Sequence, residues 1–159
     1  MIKKINFKNN VYLLYTYTYG PPMAVAPLNK VIEVIDYAVT VIDPRKILIG
    51  IPNYGYDWTL PFEVGTKARS ISNVGAVELA RETGSSILYD ETAKSPYFYY
   101  TDESGSAHVV WFEDARSIEE KLLLISMYGL LGCGVWNIMK FFPQSWLVLN
   151  SMFNIYKAL

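Results

Sequence analysis

Tyr54, Tyr56, Asp57 and Trp58 fall within five residues, directly after the apolar run Ile47, Leu48, Ile49 and Ile51. Rings with an apolar face and a polar tip, set beside a carboxylate, can hold a sugar: its C–H face stacks and its hydroxyl edge bonds. The same residues equally describe a strand that runs into an aromatic turn and merely caps the core. Asp57 is open in the same way, between a substrate hydroxyl and the backbone groups of its own turn. Glu113 and Asp114 look like paired carboxylates for acid–base work, but they precede a helix start, where acids favour the macrodipole. Asp90-Glu91 and Asp102-Glu103 read as solvated turn residues. His108 has no sequence partner that would make it a base, and Cys133 has no neighbour that would lower its pKa. No residue is assigned a catalytic role.

Several other chemistries are not expected. One cysteine and one histidine cannot complete a cysteine/histidine metal site, and no carboxylate cluster replaces it. No glycine-rich phosphate loop is present. The 14 basic and 15 acidic residues nearly cancel without a basic stripe, so no nucleic-acid partner is expected. No apolar run approaches the roughly 20 residues of a membrane span. The start, MIKKINFKNNVYLLYTYTYG, has lysines before an apolar patch, but Tyr and Thr interrupt that patch and a small-residue cleavage site is lacking, so no secretory signal is expected.

The elements that must position these residues form an α/β pattern. Val11–Tyr17 is β-rich and ends at the turn Gly20-Pro21-Pro22. A helix opens near Pro27 and carries Leu28, Val31, Ile32, Ile35, Ala38, Val39 and Ile42 on one face until Asp43-Pro44 stops it. The strand Lys46–Ile51 follows, apolar enough to be buried on both faces. Strand, helix, strand at this spacing is a parallel βαβ unit with a right-handed crossover. Residues just beyond such strands are where an α/β barrel keeps its site.

After Trp58 the alternation stops. Residues 59–112 read as a small α+β insertion. It holds a helix capped by Asn73 and three strands, Ser86–Tyr89, Tyr97–Thr101 and His108–Phe112, the last two joined by the loop Asp102–Ser106. Ser117 with Glu120 makes a capping box for a helix that ends at Gly129. Gly132–Trp136 is another buried strand, and a last helix runs from Pro143 with Trp146, Leu147, Leu149 and Phe153 near its buried side.

Longer motifs carry a resemblance. Gly20-Pro21-Pro22-Met23-Ala24-Val25-Ala26-Pro27-Leu28, Ile47–Trp58 with Thr59-Leu60-Pro61, Ala68-Arg69-Ser70-Ile71-Ser72-Asn73, Val110–Ser117 and Phe142-Pro143-Gln144-Ser145-Trp146 resemble glycoside hydrolase family 18, and within it the spore-germination and cortex-lytic branch. The resemblance implies a partial (β/α)8 TIM barrel, strands six to eight, formed by residues 1–58 and 113–159, with 59–112 as the family's insertion after the seventh strand. The implied partner is a saccharide, a β-1,4-linked polymer containing N-acetylglucosamine such as spore peptidoglycan, and the implied place is the spore or cell envelope. No cofactor is expected.

In that family the substrate's own acetamido oxygen is the nucleophile, and a glutamic acid closing an Asp-x-x-Asp-x-Asp-x-Glu pattern protonates the leaving oxygen. This sequence does not contain that pattern. The resemblance makes Trp136 the floor of the reacting-sugar subsite and Tyr17 the tyrosine that holds the acetamido group, although Thr18 stands where the family has an acid. Tyr54, Tyr56, Asp57 and Trp58 match the motif that lines the groove. The expected function is therefore that of a glycosidase portion inactive alone. The alternatives are a non-catalytic saccharide-binding or assembly module that completes a separate N-terminal half, and the remnant of an interrupted gene. Open barrel edges near Val11 and Gly132 predict a homo-oligomer.

Overall fold

The computed structural model describes residues 2–7, 10–15, 18–137 and 139–155. Two sheets organise them. In the first, β1 (Ile2–Phe7) runs antiparallel to β2 (Asn10–Tyr15). Helix α1 (Leu28–Val41) then crosses over to β3 (Ile47–Pro52), which lies parallel to β2, with Val11 opposite Ile47.

The second sheet starts three residues after β3. Strand β4 (Gly55–Leu60) pairs antiparallel with β5 (Arg69–Ile71) on one side. After α2 (Asn73–Glu82) come β6 (Leu88–Asp90), β7 (Ser95–Thr101) and β8 (Ala107–Trp111), which complete the order β5-β4-β8-β7-β6. Because β4 spans Gly55–Leu60, this sheet crosses position 58, where the sequence reading divides barrel from insertion. A Cβ on Gly55 would collide with the Trp111 carbonyl, so only glycine lets β4 enter beside β8. The chain then returns to the first sheet through α3 (Ala115–Tyr128), β9 (Gly132–Trp136), parallel to β3, and α4 (Pro143–Met152).

The larger core lies between the first sheet and its helices. It joins Leu28, Val31, Ile35 and Ala38 of α1 to Ile47, Ile49 and Ile51 of β3 and to Ile118, Leu122 and Ile125 of α3. The apolar face read for α1 is thus the buried one. Strand β3 departs from expectation: Ile47, Ile49 and Ile51 are buried, but Leu48 and Gly50 on the other face are only partly covered. A strand is buried on both faces only where a second layer closes over it, and among the described residues nothing packs on that side to the extent that α1 and α3 do on the other.

Local signals differ in three places. The cap of α2 is Ser72, which accepts from Gly75 N, so Asn73 is the first helical residue and not the cap. The capping box of α3 is Asp114 with Ser117, one turn earlier than the Ser117/Glu120 reading. In α4 Trp146 and Leu147 are exposed, while Leu149 and Phe153 join the core. The strand β1 was not anticipated at all; its pairing covers the edge near Val11 that was expected to be open. The outer edge of β9 has no strand partner among the described residues.

Candidate saccharide site at the strand ends

The parallel strands β3 and β9 finish level, with Pro52 opposite Trp136. Just beyond them Asn53 N donates to Trp136 O at 2.7 Å. The Asn53 side chain is 4% exposed and turns toward the loop after β9. Its Nδ2 donates to the Lys140 and Asn137 carbonyls, while its Oδ1 accepts from Asn73 Nδ2 at 3.4 Å. Asn73 Oδ1 in turn accepts from Glu113 N at 3.1 Å. This run of amides satisfies backbone groups that would be costly to bury alone, and it fixes the turn that follows Trp136 against the second sheet. Trp136 itself is 54% exposed, an indole face offered at the mouth of the strands.

The four residues of the aromatic stretch are placed differently. Tyr54, Tyr56 and Trp58 are buried in a ladder of edge-to-face contacts, with centroids 5.4 and 5.6 Å apart. The indole Nε1 of Trp58 donates to Gly20 O at 3.2 Å and ties the turn after β2 to the second sheet. Burial raises the phenol of Tyr54 well above its ordinary pKa. Asp57 points to the other face of β4. One of its oxygens, Oδ2, accepts from Arg69 Nη2 at 2.7 Å, Arg69 Nε at 3.2 Å and the Tyr100 hydroxyl at 2.8 Å. Its Oδ1 lies 2.9 Å from His108 Nδ1. Of the alternatives weighed for Asp57, neither matches these contacts: it satisfies side chains, not its own turn. Tyr17 lies outside the described residues. The site residues read from sequence therefore divide into one exposed ring, Trp136, and a buried set behind it, joined through Asn53.

The acid candidates are occupied. Glu113 and Lys121 are both fully buried and paired at 2.9 Å. Desolvation raises the Glu113 carboxyl above its usual range, with Lys121 opposing that shift. Asp114 caps α3 and pairs with Arg116 at 2.7 Å. Neither carboxylate is placed to protonate a glycosidic oxygen. Among the described residues no group of His, Cys, Asp and Glu could hold a metal, and no helix is long and apolar enough to cross a membrane. Burial raises the Cys133 thiol, which makes it a poor nucleophile.

Sequence reasoning passed over Asn53 and Lys140. Both lie inside quoted or adjacent motifs, but nothing local distinguishes a buried amide that reaches a loop more than eighty residues away. The ammonium of Lys140 donates to Ser70 Oγ at 2.7 Å and stands 5.6 Å from the centre of the Tyr54 ring.

Comparison with known proteins agrees with this geometry. The family described as glycosyl hydrolases family 18 matches residues 2–140. The cortical fragment-lytic enzyme of Bacillus subtilis (strain 168) is 47% identical over 142 residues, covering 89% of this chain and 33% of that protein. The crystal structure of the Bacillus megaterium QM B1551 spore cortex-lytic enzyme SleL superposes with a TM-score of 0.89 at 45% identity, covering 95% of this chain and 35% of that one. A chitinase from Chromobacterium violaceum superposes at 0.82 with 28% identity, covering 89% and 44%. The chain thus spans about a third of the length of the cortex-lytic relatives it matches.

Proposed function

This chain belongs to glycosyl hydrolases family 18, and on that premise we propose that it supplies strands six to eight of a (β/α)8 barrel acting on β-1,4-linked polymers that contain N-acetylglucosamine. In this reading β2, β3 and β9 are the three barrel strands, and the second sheet is the insertion that walls the sugar groove. The observation that carries the proposal is the position of Trp136: a half-exposed indole at the end of β9, anchored through Asn53 to the end of β3. An indole face of that kind stacks on the C–H face of a pyranose ring. Tyr54, Tyr56, Asp57 and Trp58 hold the wall in place from behind the groove.

The 159-residue polypeptide contains no Asp-x-x-Asp-x-Asp-x-Glu acid, so by itself it binds saccharide without cleaving it efficiently. Removing a general acid costs on the order of a hundredfold to ten-thousandfold in rate. Titration with N-acetylglucosamine tetramer should give weak saturable binding, which Trp136→Ala reduces at least about tenfold. Incubation with spore cortex fragments should release no reducing ends above background. Robust turnover by the purified chain, or full binding by the Trp136→Ala variant, would refute the proposal.

Among the described residues the outer edge of β9 is unpaired, which favours a second reading, in which this chain assembles with another polypeptide. Leu131, Phe141 and Leu147 lie exposed in and around the segments that flank it. An uncovered edge with apolar neighbours is a template for strand pairing. The pairing is either with a second copy of this chain or with a separate N-terminal half. Light scattering at micromolar concentration should report a dimer or larger species, and co-expression with the N-terminal two thirds of a cortex-lytic relative should restore cleavage if the half-barrels meet.

A further inference from the structure

A cavity opens between the start of α1, the turn that joins β6 to β7, and the last residue of β8. It holds about 290 Å³, and Pro27, Asn29, Asp90, Thr92 and Trp111 are among the residues of its wall. Helix and turn are tied together there, because Leu28 N donates to Ala93 O at 2.8 Å. Asp90 shapes the turn: its Oδ1 accepts from Thr92 N at 2.9 Å and from Ala93 N at 2.7 Å. Trp111 is partly buried and stacks on Tyr97, with centroids 4.5 Å apart and planes 18° from parallel. The rest of its ring is left to line the cavity. None of these residues belongs to the Trp136 end of β9.

One group in this cavity is out of balance. The Asn29 side chain makes no hydrogen bond to any described residue, yet its Oδ1 is buried. An acceptor stripped of water and given no donor is costly, and buried amides are normally partnered for that reason. Exchanging the two amide atoms changes nothing, since neither end of the side chain has a partner. Asp90 carries a second open acceptor: Oδ1 is used twice within the turn, while Oδ2 takes no described donor. Two acceptors in want of donors, beside indole surface, describe a ligand with hydroxyls on its edge and C–H groups on its face. Asp90 and Lys30 both line the wall, so charges of either sign are at hand and a neutral ligand is not disfavoured. The volume lies at the lower end of the roughly 300–1,000 Å³ of small-molecule sites, room for one ring. We propose that this cavity is a binding site for a single neutral pyranose, whose hydroxyls donate to Asn29 and Asp90 while its apolar face meets Trp111. The site goes beyond the reading of Trp136 as a platform and does not depend on it.

The test follows the tryptophan indole N–H signals of the isotope-labelled 159-residue chain by NMR during titration with the methyl β-glycoside of N-acetylglucosamine. The Trp111 signal and the Asn29 side-chain amide should shift together and saturate with a millimolar dissociation constant, the strength of a few bonds to one ring. Asn29→Leu should weaken that saturation by about tenfold, and Trp136→Ala should leave it within about twofold of the parent chain. With the orphaned acceptor gone, the free Asn29→Leu variant should also unfold at a higher denaturant midpoint, which separates lost binding from lost fold. A Trp111 signal that stays still, or moves alike in Asn29→Leu, overturns the proposal. A midpoint that falls overturns it too, because the amide is then already satisfied in the free chain. A Trp111 shift produced by tetramethylammonium or inorganic phosphate and not by the glycoside marks a site for charged ligands, and the proposal fails. If the Trp136 indole alone responds, the platform reading stands and this site is refuted; if Trp111 alone responds, this site stands and the platform reading is refuted.

Discussion

The two sheets solve the same problem in opposite ways. The second sheet is covered on both faces: Tyr56, Trp58, Val109 and Ala68 pack on one side with Val25 of the loop before α1, and Phe98, Val110 and Phe112 meet Ala76 and Ala80 of α2 on the other. Its buried carboxylate, Asp57, is matched by three partners from its own strands, Arg69, Tyr100 and His108. The first sheet is packed firmly on one face only. The other face of β3 is partly open, the outer edge of β9 has no strand beside it among the described residues, and the exposed ring of Trp136 ends that strand. The difference teaches where each kind of residue is kept: the second sheet buries its polar groups among its own strands, while the first leaves Trp136 and one face of β3 in contact with solvent.

The largest effect should come from the seam between them. Lys121 on α3 neutralises Glu113, which follows β8 and whose backbone N–H is held by Asn73. Lys121→Met leaves a fully buried carboxylate with no counter-charge, and breaking such a pair costs about 3–5 kcal/mol. Chemical denaturation should therefore show the loss of a large share of the roughly 5–15 kcal/mol typical of a domain, and Glu113→Gln in the same chain should recover much of it, because both charges are then gone. Hydrogen exchange sharpens the comparison: amides of both sheets should lose protection together. If α3 and β9 open while β4, β7 and β8 stay protected, the second sheet stands alone and the seam is not a shared support.

A smaller and more local effect is expected at Asp57. Charge-assisted hydrogen bonds contribute about 1.5–3 kcal/mol each when a buried partner would be left unpaired, while the contact with the 66%-exposed Arg69 contributes little. Because the substitution also removes the desolvation cost of the buried carboxylate, Asp57→Ala should cost less than its two bonds summed, about 2–3 kcal/mol. The loss should appear as faster exchange in β4, β5 and β8, with β3 and β9 nearly unchanged. An equal loss in both sheets would erase the distinction drawn between them.

How much of this was legible in the sequence follows the same division. Apolar patterning found α1 and β3, and runs of β-forming residues between turns found β7, β8 and β9, although β9, read as buried, is only partly covered along its length. Patterning missed β1, where Lys3, Lys4 and Asn6 break the apolar pattern and the strand is specified by its partner β2. Capping was misread by one to three residues at α2 and α3, since Ser72, Asn73, Asp114 and Ser117 are all good caps and only the backbone geometry chooses among them. Trp136 could be located at the end of the last strand from the apolar run before it. The partners of Asp57 could not, because Arg69, Tyr100 and His108 come from three other strands whose register no local pattern sets. Asn53 and Lys140 stayed hidden for the same reason.

The smallest predicted effect probes the closed sheet with pH. The phenol of Tyr100 is pushed up to about 12, first by burial and then by its bond to the Asp57 carboxylate. In the unfolded chain the same phenol ionises near 10. Between those values the unfolded state has lost a proton that the folded state keeps, so the stabilisation present below about pH 10 declines as pH rises toward 12. Tyr100→Phe removes both the titration and one hydrogen bond to a charged acceptor. At neutral pH the variant should be less stable by about 1–2 kcal/mol, yet between pH 10 and 12 its denaturation midpoint should fall less steeply than that of the parent chain. Tyr89, on β6 at the edge of the same sheet, is also raised to about 12 and is left in place, so part of the alkaline slope must survive in the variant. Slopes that coincide would mean that Tyr100 is solvated well enough to ionise alike in both states, and the second sheet would then be less closed at its Asp57 end than its packing implies.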